Sequence, residues 1–390
     1  MITKNLTRLR NKPSLQRSIS QLAKGQHTIS IQNVPPHALI GETLDVVLAG
    51  PIYNVEDILQ PSRNVRITFY DSTAASELLE QVSNHPVLLY GQRLEFSPVM
   101  GQKPAPFHPT SSRTIRATFA NVHMTENALA QQLTPFGAID RFNFVKGNPS
   151  KAFISFLSAR VASWAFKDLR QLGAQVSRVR DRCVTAALAR TEALKNRSCK
   201  VALRGVPRNT TVIELADCIR GGALHNISYK PLDNVAYIHF TLHASALAFF
   251  EDALYRGIYL HGRRLHPQFE PDSHPFSPNL AESIKNGASR CITFHYTGPG
   301  HEPADLTRHC SRFGPVERVS TTGSSATVVF LNIMHAINAF ARLPASEGFD
   351  PSHVRLRFEK DPSSRPLLSS VEAVGQLHSE VQRLLHIPDK

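Results

Sequence analysis

Tyr237 and Phe153 each stand at an alternate position of a strand-like run, and the arginines Arg178, Arg180 and Arg182 are spaced by two. These are the residues of this 390-residue chain whose type and spacing suggest a chemistry. A strand turns alternate side chains to one face, so rings and guanidiniums placed this way offer flat, cationic surface to a planar, anionic ligand. Other reactive residue types offer less. The five cysteines (Cys183, Cys199, Cys218, Cys291, Cys310) are odd in number and contain no C-x-x-C pair, which argues against a disulfide framework and for a reducing compartment. Among 18 histidines, neither His309 with Cys310 nor His261 with His266 completes a four-ligand spacing, so no metal is expected. The run GPGHEP at 298–303 lacks the lysine of a phosphate-binding loop, and no nucleophile stands beside a recognisable base. Neither an enzyme nor a cofactor is expected.

The elements that would position these residues are repeated. NVAYIHFTLHASALAFF starts at Asn234, SKAFISFLSARVASWAF at Ser150, SSATVVFLNIMHAINAF at Ser324 and RNVRITFYDSTAASELL at Arg63. Aligned without gaps, the seventh residue is always phenylalanine (Phe69, Phe156, Phe240, Phe330) and the thirteenth always alanine (Ala75, Ala162, Ala246, Ala336). The starts lie 87, 84 and 90 residues apart, an internal repeat that divides the chain into four small units.

In the third repeat CKVALRGVP (199–207) alternates like a strand. NTTVIELADCI follows, with Thr210 or Thr211 placed to cap a helix and Glu214 placed for a capping box. GGALHNISYK turns into a second strand, and LYRGIYLHGRRLHPQFEP returns as a strand with a turn at Gly262. The order strand–helix–strand–strand–helix–strand predicts an α+β fold of four tandem ferredoxin-like βαββαβ units, each an antiparallel sheet with two helices on one face. Ala236, Ile238 and Phe240 would pack on the helices, leaving Tyr237 on the open face.

The units resemble RNA recognition motifs, whose third strand carries the octamer K/R-G-F/Y-G/A-F/Y-V-x-F/Y. The second repeat supplies Lys151, Ala152, Phe153, Ile154, Ser155 and Phe156, the third Val235 to Phe240. Residues 27–360, best in the third repeat, also resemble the fungal negative-regulator-of-differentiation family of four-motif RNA-binding proteins. Its pattern is met by Arg220, Gly221, Gly222, Leu224, Ile227 and Tyr229, then Ala236, Tyr237, Ile238 and Phe240, and the run from Ala246 to Phe250. The resemblance implies binding of single-stranded messenger RNA and a role after transcription. The repeat, with the basic composition of the N-terminus and the three- and four-residue apolar spacing of the C-terminus, divides the chain into a basic arm at 1–26, motifs at 27–98, 113–185, 198–271 and 289–360, and an amphipathic C-terminal helix at 366–387.

Such sheets hold RNA by stacking bases on exposed rings, with basic side chains on phosphates. The second repeat offers Phe153, with Lys151 at another stacking position and Thr118 or Arg116 at the first-strand place. The third offers Tyr237, while Val235 and Ala202 leave the other places without rings; Arg204 ends its first strand. The first repeat presents Asn64, Arg66 and Ser30, the fourth Ser325, Thr327 and Thr293. The run AQVSRVRDRCV reads as the fourth strand of the second repeat, with Arg178, Arg180 and Arg182 on one face beside Phe153. The segment 185–198 reads as a helical linker between the second and third sheets.

Charge agrees with a polyanion partner. The net charge is +13, residues 1–24 carry six basic residues and no acid, and 141–182 carry nine against Asp168 and Asp181. No apolar run approaches the ~20 residues of a membrane helix, and no membrane partner is expected. The arm has the composition of a mitochondrial transit peptide, with Arg17 three residues before Ser20. A matrix location is expected, a cytoplasmic or nuclear one being the alternative. The alternative to RNA binding is a protein-interaction scaffold in a ribonucleoprotein or mitochondrial gene-expression complex, with partners on the aromatic-poor first and fourth repeats or the C-terminal helix.

Overall fold

The computed structural model describes residues 26–367, apart from 60–61, 102–103, 105, 107–110, 121–123, 148, 272–275, 297–301 and 346–352. The expected arm at 1–26, but for its last residue, and the expected helix at 366–387, but for its first two, lie outside the described residues.

The chain is α+β, with antiparallel sheets backed by helices. The first sheet is built from β1 (Thr28–Gln32), β2 (Ile52–Ile58), β3 (Asn64–Phe69) and β4 (Glu95–Val99), with α1 (Ile40–Asp45) and α2 (Ser72–Asn84). The second has β5 (Thr114–Phe119), β6 (Ile139–Val145), β7 (Ser150–Phe156) and β8 (Gln175–Val179), with α3 (Glu126–Leu133) and α4 (Ala159–Gln171). Helix α5 (Arg182–Asn196) follows, then β9 (Lys200–Arg204), α6 (Val212–Asp217), β10 (Leu224–Lys230), β11 (Val235–Phe240), α7 (His243–Tyr255), β12 (Ile258–Leu260) and β13 (Arg263–Glu270). After α8 (Pro278–Lys285) come β14 (Cys291–Tyr296), α9 (Pro303–Ser311), β15 (Val316–Thr322), β16 (Ser325–Phe330), α10 (Ile333–Arg342) and β17 (Val354–Glu359). The sheet orders are β2-β3-β1-β4, β8-β5-β7-β6, β10-β11-β9-β13-β12 and β15-β16-β14-β17.

The repeated phrase is the strand that lies beside the first strand, together with the helix behind it. Phe69, Phe156, Phe240 and Phe330 are wholly buried, each worth about 1.5–3 kcal/mol as a buried side chain. The invariant alanines are also wholly buried, because the helix backbone lies too close to the sheet there for a larger side chain. Asp71, Ser158 and Asn332 cap the phrase's helix in three repeats by accepting from a backbone N–H two residues on; Leu242 stands there in the third. In α6 the cap is Thr211. It accepts from the Glu214 N–H at 3.2 Å while Glu214 accepts from the Thr211 N–H at 2.7 Å.

The chain divides into two compact units between Leu188 and Ala189, and each joins two sheets in the same way. In the first, Val55 N–H donates to the Leu157 carbonyl at 2.9 Å beside a bridge between Asn54 and Ser158. In the second, Ile227 N–H donates to the Leu331 carbonyl at 3.0 Å beside a bridge between Asn226 and Asn332. An edge strand of the earlier sheet thus finds partners at the strand–helix corner of the later one. Beneath each corner lies a wholly buried arginine, Arg113 or Arg290.

Candidate nucleic-acid interface

Strand register decides which side chains reach the open faces. In the second sheet Phe153 lies opposite Arg116 on β5 and Asn143 on β6, and Lys151 lies opposite Thr118 and Val145. Ile115, Ala117, Ala152 and Ile154 point the other way and are wholly buried. Phe153 is half-buried, while Lys151 and Arg116 are exposed. The structure therefore gathers Phe153, Lys151, Arg116 and Thr118 on one open face, with Arg141 and Asn143 of β6 beside them.

The expected arginine row does not form. Strand β8 ends at Val179 and α5 begins at Arg182, so the alternation is too short to carry three arginines. Arg178 pairs in register with Ile115, which puts it on the helix-packed face. There it donates to Ser163 Oγ at 2.8 Å and the Ser112 carbonyl at 3.1 Å, and lies 5.2 Å over the Phe166 ring. Burial pulls its guanidinium below the ordinary value. Arg182 is an internal brace: it meets Asp140 at 3.0 Å, donates to the Gly41 carbonyl at 2.7 Å and pairs with Asp45. Arg180 is exposed in the two-residue connection between strand and helix. The face that β8 shows beside Arg116 and Thr118 consists of Gln175, Ser177 and Val179.

In the third sheet Tyr237 lies opposite Ala202 and Ser228. The ammonium groups of Lys200 and Lys230 stand 4.9 and 5.3 Å from its ring centroid, giving an aromatic face between two cations. Arg204 is turned along β13, donating to Gln268 and Glu270 at 2.8 Å each. Glu270 therefore offsets its charge. At the far end of the same face His239 and His225 meet at 3.2 Å, and Phe276, from the segment after the sheet, packs on both rings at 5.1 and 5.0 Å.

The remaining faces carry no rings at the three corresponding strand positions. Arg66 is exposed on the first sheet but stands opposite Glu56. On the fourth, Thr293 and Thr327 hydroxyls meet at 3.0 Å, and the exposed His295, Arg355 and Arg357 flank them. Among the described residues no cluster of three potential metal ligands occurs, and no helix is long and apolar enough to cross a membrane.

No family model matches the chain. It is 24% identical over 386 residues to the meiotically up-regulated gene 24 protein of Schizosaccharomyces pombe, covering 87% of this chain and 58% of that one. It is 22% identical over 407 residues to the RNA-binding protein MRN1 of Saccharomyces cerevisiae, covering 86% and 66%. The chain thus spans under two thirds of the length of either relative. A solved structure of the N-terminal three RNA binding domains of the yeast splicing factor Prp24 aligns with 64% of this chain and 100% of its own, at 16% identity and a TM-score of 0.17.

Several basic groups escape a reading aimed at rings. Lys200 and Lys230 sit on strands flanking Tyr237, and only strand pairing shows that they reach its ring. Arg355 and Arg357 alternate with Leu356 and Phe358 in VRLRFE, a pattern that does signal two arginines on the open face.

Proposed function

We propose that the chain is a single-stranded RNA-binding protein of four tandem RNA recognition motifs, of the kind found in the negative-regulator-of-differentiation family. The observation that carries this is Tyr237, an open-face ring between Lys200 and Lys230. A base stacked on that ring would bring its flanking phosphates to both ammonium groups. Phe153 with Arg116 and Lys151 repeats the arrangement on the second sheet. The likeness to a relative named as RNA-binding supports the same reading. With a ring at one stacking position on each of the second and third faces and at none on the others, affinity comes from several faces joined in one chain rather than from any single sheet. The substrate proposed is messenger RNA and the step its stability, processing or translation, in the mitochondrial matrix. Crosslinking the tagged protein in cells and sequencing the bound RNA tests this: recovery of messenger RNA supports it, and no enriched RNA overturns it.

One observation favours protein docking as a second role. Trp164, the only tryptophan of the chain, is 50% exposed on α4, with the Arg160 guanidinium 5.0 Å over its ring. Trp and Arg are both enriched among the residues that carry most of the binding energy at protein interfaces.

A further inference from the structure

At one end of the third sheet, where β9 stops and β11 begins, Pro207, Arg208, Asn209, Asn234, His261 and Arg263 line an open cleft of about 390 Å³. Backbone geometry sets its walls. Val206 N–H donates to the Asn234 carbonyl at 3.1 Å, and the Tyr229 hydroxyl donates to the Pro207 carbonyl at 2.6 Å. His261 and Gly262, with φ of 48 and 72, are the central residues of the tight turn between β12 and β13. His261 is engaged on both ring nitrogens, by Glu214 at 3.2 Å and Asn209 at 3.3 Å. Glu214 is itself held by Thr211. The charge left facing solvent in the cleft is that of the exposed Arg208 and Arg263.

The same corner of the first sheet is closed by its own side chains. There Val34 N–H donates to the Arg63 carbonyl at 3.2 Å, the counterpart of the Val206–Asn234 bond. Arg63 donates to the Pro35 and Pro36 carbonyls at 3.1 Å each, and its other nitrogens hold Asp57 at 3.0 and 2.8 Å. By register, Tyr229 stands where Asp57 does, since Tyr229 faces Ala236 as Asp57 faces Val65. The third sheet has thus replaced a self-neutralising Arg–Asp pair with Asn234 and Tyr229. Its corner is open, with two arginines at the rim.

We propose that this cleft binds a phosphodiester and the adjoining nucleotide of a single strand that stacks on Tyr237, a deepening that rests on the RNA-binding reading above. Arg208 and Arg263 hold the phosphate oxygens, and the Asn209 and Asn234 amides meet a base edge or ribose hydroxyl. Asn234 immediately precedes β11 and is three residues from Tyr237, on the order of 10 Å at strand rise. One strand of RNA reaches both.

The test uses the full chain with Arg208→Gln and Arg263→Gln together, and Arg342→Gln on the helix side as the charge control. Fluorescence anisotropy with a mixed-sequence single-stranded RNA is read across a salt series. The double variant should bind several-fold more weakly, its log–log salt slope smaller by about 0.7–1.4, at ~0.7 per phosphate contact. The control should match wild type. A double variant with wild-type affinity and slope, beside a wild type that binds RNA, overturns the cleft and leaves the sheet reading standing. A wild type that binds no RNA overturns both. Calorimetry with AMP and with inorganic phosphate separates the sources: saturable binding of either to wild type and not to the double variant, beside RNA affinity and salt slope that the double substitution leaves unchanged, reassigns the cleft to a free anion and overturns the RNA assignment.

Discussion

Arg290 holds Asp361 with two nitrogens, at 2.9 and 3.0 Å, in a site where both side chains are wholly excluded from water. The same guanidinium donates to Glu317 at 2.8 Å and to the carbonyl of Phe330, the seventh residue of the repeated phrase. Asp361 in turn accepts from the Leu224 N–H at 3.1 Å, on the neighbouring sheet. Arg113 repeats this with Asp181 at 2.7 Å and the Phe156 carbonyl at 2.8 Å. Burial would pull the Arg290 guanidinium down; Asp361 and Glu317 outweigh it and hold it above its ordinary value. Arg290 is tied to the neighbouring sheet through Asp361, and Arg113 through Asp140 and Arg182, which donates to the Gly41 carbonyl at 2.7 Å.

Arg290→Met leaves two carboxylates buried without their cation. Removing one partner of such a cluster costs about 3–5 kcal/mol, so the full chain should show an unfolding transition at markedly lower urea than wild type. An unmoved midpoint would show that the cluster does not hold the fold.

Phe153→Ala with Tyr237→Ala removes the rings at the stacking positions of the second and third faces. Single-stranded RNA binding should weaken by about 2–5 kcal/mol, taking two stacked bases as additive, while thermal unfolding changes little. Equal affinity in an anisotropy titration contradicts the stacking role.

Arg116→Gln with Lys151→Gln should reduce the salt slope of RNA binding by about 1.4, at ~0.7 per phosphate contact. Arg182→Gln should leave the slope as it is and instead destabilise the chain, because Arg182 braces Asp140, Asp45 and the Gly41 carbonyl. A slope change with Arg182 and none with Arg116 and Lys151 reverses the assignment.

Burial pushes the thiols of Cys183, Cys291 and Cys310 from the ordinary 9.0 up to about 12, with Asp181 and Asp361 adding to the first two. A thiol held at about 12 carries roughly a thousandfold less thiolate than one at 9.0, so mass spectrometry after brief alkylation of native protein should find Cys199 and Cys218 labelled before these three. Because the folded-state values are raised, the unfolded chain loses these protons first. The stability they contribute is whole below pH 9.0 and falls as pH rises toward about 12. Stability that rises over that window contradicts the assignment.

Residues 1–26 fused to a fluorescent reporter should direct it to mitochondria, and the mature protein should begin near Ser20. Arg8, Arg10 and Arg17 changed to glutamate should abolish import and spare RNA affinity. A reporter that stays diffuse, with an uncleaved N-terminus, places the protein elsewhere.

The repeated phrase by itself determined the strand-and-helix pattern and the α+β class, because its alternation and invariant Phe and Ala positions answer to one steric demand, a helix lying close on a sheet. It also determined that Tyr237 and Phe153 face away from the core, since parity within a strand is a local property. Where the arginines go was decided by tertiary structure. Alternation in QVSRVRDR predicts one shared face, yet the strand breaks after Val179 and the register against β5 sets Arg178 beside Ile115. Register depends on two segments about 60 residues apart in sequence, and one step of slip exchanges every face. Arg182 reads in sequence as an open-face cation and is instead a brace to Asp140, Asp45 and the Gly41 carbonyl. Arg113 and Arg290 are buried because distant segments of their own repeats bring Asp140 and Asp181, or Glu317 and Asp361, to them, and no local pattern records a partner that only packing supplies.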